Sequence, residues 1–180
     1  KVDQKALLHL IKHSFTAISS QNDFTIVEGT GHVGVGSIVN LSNAMVAAEL
    51  GLDIVIIVGG GLGSAFDQLA INKALCDAHG VKIAGVILNR VLPEKQEMIR
   101  NYMSKALSKW NIPLIGCIPY NNFLNTASMA DFEGLFKTDM LSGEKYHYRH
   151  FEVMRLVATS LETFQERMFP NQLIVTPASR

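Results

Sequence analysis

This sequence has no charge bias, no disulfide-forming cysteine set and no long apolar run, and each absence removes a class of function. The 16 basic residues balance 16 acidic ones, at a pI near 7.2. No field of one sign draws the chain to nucleic acid or to an anionic membrane surface, and neither is expected as a partner. Cys76 and Cys117 are the only cysteines. Two thiols in apolar contexts make neither a disulfide framework nor a zinc site, and they fit a reducing compartment. No apolar run approaches the roughly 18 residues of a membrane span. The opening KVDQKALLHLIKHSF has neither the apolar stretch nor the cleavage pattern of a secretory signal, so the expected location is the cytoplasm. What is present is 180 residues with 48% hydrophobic content, enough for one full core and part of a second.

The hydrophobic period alternates between helical and extended along the chain. Asp3 precedes a helical stretch whose Leu7, Leu8, Ile11 and Phe15 share a face, with the aspartate placed to cap it. FTIVE, residues 24–28, reads as a short buried strand. A glycine-rich loop leads to a helix over 37–50, stopped by Gly51. DIVIIV is apolar on both faces and has the look of a central parallel strand. A second glycine run, 59–63, opens the helix SAFDQLAINKALCDAHG. A strand over 82–88, a helix over 93–110 and a strand over 113–118 follow. Strands alternating with helices of this length predict right-handed βαβ crossovers. The expected fold is α/β, a doubly wound parallel sheet with helices on both faces.

Open parallel sheets bind ligands beyond the carboxyl ends of their strands. Those ends carry Glu28 and the loop GTGHVGVG, then GGGLG, then Asn89 and Arg90, then Pro119, Tyr120, Asn121 and Asn122. Glycine runs after strands let backbone N–H groups surround an anion, or they simply make tight strand-to-helix turns. Residues 29–37 superficially suggest G-x-x-x-x-G-K-[ST], but Val35 stands where lysine is required and Gly36 where the metal-binding hydroxyl is required. The second run fails the dinucleotide fingerprint, because Ser64 holds the third glycine position. Glu28 ends an apolar strand before Gly-Thr-Gly, where a carboxylate is placed either to hold Mg²⁺ on a phosphate chain or merely to be solvated. His9 and His13 are spaced like two ligands on one helix, without a third. His32 faces either a phosphate or its own loop, and Arg90 either a phosphate or water.

The segments IVEGTGHVGVG, VGGGLG, GVILNRVLPEK and PLIGCIPY together resemble dethiobiotin synthetases and the related cobyrinic acid a,c-diamide synthases, over about residues 24–120. The resemblance implies a P-loop NTPase-like fold whose ligands are ATP and Mg²⁺. It implies that Glu28 binds Mg²⁺, with Gly29, Thr30 and Gly31 beside the phosphates. Asn89 would contact the purine base, with Pro119 and Tyr120 bordering it. Gly60, Gly61, Leu62 and Gly63 would lie near an organic small-molecule substrate and a homodimer contact. The implied reaction is ATP-dependent activation of a carboxylate for attack by an amine, as in a ligase.

Such proteins begin with a strand, a G-x-x-x-x-G-K-[ST] loop and a helix, and the 180 residues contain no such loop. The stretch alone is therefore expected to be inactive. Residues 1–138 are read as the C-terminal part of this nucleotide-binding domain. Residues 139–180 are read as a linker and the start of a second module, similar to the DRTGG-type module of long-form phosphotransacetylases, with a helix over 151–168. A nucleotide- or metabolite-sensing regulator and a purely structural, dimerising domain remain as alternatives.

Overall fold

The computed structural model describes residues 3–158 and 160–177, and the chain divides into two compact units, Lys1–Tyr120 and Asn121–Arg180. In the first unit, helix α1 (Gln4–Ser19) starts where the Asp3 carboxylate accepts the backbone N–H groups of Lys5 and Ala6 at 3.0 and 3.2 Å, the expected cap. Leu8, Ile11 and Phe15 are half-buried, and none of the helix is fully buried.

Residues 24–28 form no strand. A strand exists through its ladder, and no described strand pairs with this segment. Phe24 is 82% exposed and Ile26 81%, so the expected buried strand is an unpaired stretch without regular structure.

The helix expected over 37–50 is also corrected. Ser37–Val39 makes one 3-10 turn and Asn40 takes a left-handed φ of 55°, which ends it. The Ser42 hydroxyl then caps α2 (Asn43–Leu50) by accepting from Met45 N–H at 3.1 Å. Gly51, at φ 66°, closes that helix as expected.

β1 (Ile54–Gly59), α3 (Gly63–Ala78), β2 (Ile83–Val91), α4 (Gln96–Ser108) and β3 (Leu114–Pro119) follow. The strands form a parallel sheet in the order β1-β2-β3, flanked by helices, which is the expected α/β class. Ile56, Val58, Val86 and Leu88 face Leu69 and Cys76 of α3 and Ile99, Met103 and Leu107 of α4. Each large side chain buried there contributes roughly 1.5–3 kcal/mol. Phe66 stacks on Trp110 with centroids 4.5 Å apart and closes the α3–α4 seam. β1, expected in the centre, is an edge strand among the described residues, and its Val55 and Ile57 are exposed.

In the second unit, α5 (Met129–Phe136) carries a capping box: Ser128 Oγ accepts Asp131 N–H at 3.3 Å, and the Asp131 carboxylate accepts Ser128 N–H at 2.7 Å. The helix expected over 151–168 is instead β4 (Val153–Leu156) and a short α6 (Leu161–Gln165). β4 pairs in parallel with β5 (Gln172–Val175), Val153 opposite Gln172. Short apolar runs are ambiguous between periods. Here the pairing with QLIV decides for strand, and Ser160 caps a new helix by accepting Thr163 N–H.

Candidate nucleotide rim

The register of the sheet brings three of the four expected rim elements together. Gly59 lies opposite Asn89, and Val91 lies opposite Pro119. Tyr120 extends the pairing by donating its N–H to Val91 O at 2.7 Å. Between Leu88, opposite Cys117, and Val91, opposite Pro119, β2 has three steps against two on β3. This is a bulge, and it falls on Asn89 and Arg90. Arg90 takes a left-handed φ of 58°, rare for a residue with a Cβ. Its N–H is accepted by Asn89 Oδ1 at 2.9 Å. That bond occupies the amide oxygen and leaves the Asn89 NH₂ to donate, the polarity needed to meet an acceptor nitrogen of a purine.

The second glycine run has a packing explanation at its centre. A Cβ on Gly60 would stand 2.5 Å from Val91 Cα, so the run needs glycine to cross the end of β2. Gly61 donates to Gly59 O at 2.9 Å and turns the chain toward Leu62 and Gly63, where α3 begins without a side-chain cap. Leu62 and Gly63 also line an apolar cavity of about 350 Å³ with Phe66, Tyr102, Met103 and Ala106.

The first glycine run is largely committed to itself. His32 Nδ1 accepts Gly34 N–H at 3.1 Å, His32 O accepts Val35 N–H at 3.0 Å, and Gly34 O accepts Ser37 N–H at 3.2 Å. His32 therefore holds its own loop. Asn43, which sequence reading missed, fixes the loop to α2 by donating Nδ2 to Thr30 O and His32 O, both at 2.9 Å. A Cβ on Gly29 would come within 2.9 Å of the Asn43 amide carbon, and Gly31 has φ 65°. The expected helix over 37–50 hid Asn43, because a residue inside a helix has no reason to face a loop. Glu28 itself is exposed and makes no hydrogen bond or ion pair with the described residues. No strand pairing connects it to the Asn89 side of the rim.

Among the described residues no three His, Cys, Asp or Glu side chains converge as a metal cage. Mg²⁺ does not require one, since it keeps several waters and takes one or two carboxylates plus phosphate oxygens. Glu28, with both oxygens uncommitted, fits that role; the lysine-free glycine runs do not by themselves fit a triphosphate grip.

The AAA domain family matches residues 3–128. The chain belongs to this family. The ATP-dependent dethiobiotin synthetase BioD of Gloeothece citriformis is 30% identical over 137 residues, 71% of this chain and 60% of that protein. The BioD of Aromatoleum aromaticum is 32% identical over 120 residues, 67% of this chain and 52% of that protein. The phosphate acetyltransferase of Nitrosomonas europaea is 26% identical over 185 aligned positions, which cover 97% of this chain and 26% of that protein. The chain thus spans 60% or less of each of these relatives. No solved structure matches it. Its relatives and its parallel sheet make it a dethiobiotin synthetase-like domain of the P-loop NTPase type. No helix of the described residues is long and apolar enough to cross a membrane.

Proposed function

We propose that these residues form the base side and the metal side of an Mg-ATP site that activates a carboxylate in the intact protein. The phosphate grip would come from a G-x-x-x-x-G-K-[ST] loop that the 180 residues do not contain. The observation that carries this reading is the bulge at Asn89 and Arg90. It sets a donor amide between Gly59 and the Pro119–Tyr120 step, on the rim where parallel sheets hold ligands. Glu28 holds Mg²⁺, and Gly29, Thr30 and Gly31 border the phosphates. Asn89, Pro119 and Tyr120 receive the base, and Gly60, Gly61, Leu62 and Gly63 lie toward the small-molecule substrate.

The test is calorimetry on a protein that joins these residues to a lysine-bearing phosphate loop. Glu28→Gln should weaken Mg-ATP binding at least tenfold, about 1.4 kcal/mol, because a neutral amide holds the metal less well. Unchanged affinity removes Glu28 from the site.

A second reading, a nucleotide-sensing domain of a phosphate acetyltransferase-like protein, draws on a specific observation. The Nitrosomonas europaea relative matches 97% of the chain, the second unit included, where the Gloeothece citriformis BioD matches 71%. Under that reading the intact protein binds ATP but releases negligible phosphate. Release stimulated by a diacid or diamine favours the ligase.

A further inference from the structure

Asn43 opens α2, yet its side chain serves the preceding loop and not the helix. The helix cap belongs to Ser42, whose hydroxyl accepts Met45 N–H at 3.1 Å. Alanine would favour α2 more than asparagine does. The Asn43 amide instead reaches back across the glycine loop and donates Nδ2 to Thr30 O and His32 O, both at 2.9 Å. Two carbonyl oxygens on one nitrogen fix which way the amide points.

This amide has a rigid seat. Its neighbours Ser42 and Ala44 are only 4% and 0% exposed, so the start of α2 is anchored in the core. Asn43 N–H donates to Val35 O at 3.1 Å and Ala44 N–H to Val33 O at 3.0 Å, which stitches the end of the loop to the helix. The return is tight, since a Cβ on Gly36 would stand 2.2 Å from Leu41 O. On the other side, a Cβ on Gly29 would stand 2.9 Å from the Asn43 amide carbon. The turn that follows Glu28 therefore lies against an amide held by the core. The Glu28 carboxylate has no partner of its own among the described residues, so the backbone it leaves from is what aims it.

We propose that Asn43 is a positioning residue for Glu28: its amide locks the backbone of residues 29–32 and so sets where the Glu28 carboxylate meets a divalent cation. The proposal rests on the reading of Glu28 as the metal side of an Mg-ATP site. Groups that hold a metal ligand in place affect binding nearly as strongly as the ligand itself. A role confined to the helix makes the opposite prediction for one substitution. Asn43→Asp keeps the shape and puts a negative charge at a helix N-terminus, which favours the helix. The same change removes both donors and turns a carboxylate oxygen toward two carbonyl oxygens, which opens the loop.

Hydrogen exchange of the 180-residue chain without nucleotide tests the clamp. Asn43→Ala should speed exchange over residues 29–37 by about tenfold, and Asn43→Asp by more, while 83–91 keeps its protection. Unchanged exchange over 29–37, or an aspartate that protects as well as asparagine, overturns the proposal. Gly29→Ala crowds the same amide from the other side, so its effect on exchange should be smaller in the Asn43→Ala background than in the wild-type chain. Equal effects in the two backgrounds overturn it. Calorimetry on the intact protein tests the positioning. Asn43→Ala should weaken Mg-ATP binding roughly tenfold, leave magnesium-free ATP binding unchanged and add nothing to the loss caused by Glu28→Gln. A loss that is the same with and without magnesium, or that adds to that of Glu28→Gln, overturns the proposal and leaves the reading of Glu28 standing. If Glu28→Gln binds Mg-ATP as tightly as wild type, that reading fails and the proposal fails with it.

Discussion

Arg90 shows how a single residue records a demand of the site that its own chemistry does not explain. A left-handed conformation costs a residue with a Cβ roughly 1 kcal/mol, and glycine would adopt it without that cost. Arg90→Gly should therefore leave the fold intact and stabilise it by up to about 1 kcal/mol, read as a rise in urea midpoint with unchanged slope. A lowered midpoint would show that the guanidinium contributes more than the strain costs. At its neighbour, Asn89→Ala removes the donor amide and the bond from Arg90. In the protein completed with a phosphate loop, it should reduce discrimination between ATP and other nucleoside triphosphates more than total binding. Equal losses for every nucleotide would make Asn89 a support for the bulge alone. Cys76 is more conventional: burial, then the nearby Asp77 charge, pushes its thiol up, consistent with a core residue rather than a nucleophile. Asn89 at the end of β2 and the turn glycine Gly60 could be placed from the sequence, because strand ends and glycine runs are local signals. Asn43 could not, because its role depends on where the chain returns after the loop.

At the level of elements, β2, β3, α3 and α4 could be read directly, because their apolar period agrees with the packing they meet. Residues 24–28 and 151–156 could not. In both, an apolar run is short enough to take either form, and the presence or absence of a ladder partner decides. The N-terminus of α5 offers a clean test of local chemistry. The Asp131 carboxyl is held below its usual range by the Ser128 backbone N–H, then by the Ser128 hydroxyl. A carboxyl with a depressed folded value adds stability above the ordinary Asp value of about 4 and loses it as pH falls through the folded value. Wild type should be more stable than Asp131→Asn at pH 7, with the two melting curves converging as the solution is acidified below about pH 4. A gap that persists undiminished at pH 2 would show that the capping box does not depend on the charge. Ser128→Ala should cost about 1 kcal/mol at neutral pH, measured by thermal melting.

For the whole molecule, fold class and family were accessible from strand and helix alternation and from motif order, and the sheet register then gathered Gly59, Asn89, Pro119 and Tyr120 on one rim. β1 is an edge strand among the described residues and not the central one its sequence suggested, because a strand apolar on both faces looks central whatever its pairing. Under the proposed function, a carboxylate that positions a metal and an amide that reads a base contribute little affinity without the amide cradle and lysine that hold the phosphates. The most direct measurement is a calorimetric titration of Mg-ATP into the purified 180-residue chain, with phosphate release followed in parallel. The account predicts an affinity no tighter than millimolar and no magnesium-dependent phosphate release. A micromolar affinity would contradict it, because the lysine-free glycine loops would then have to constitute a complete phosphate site.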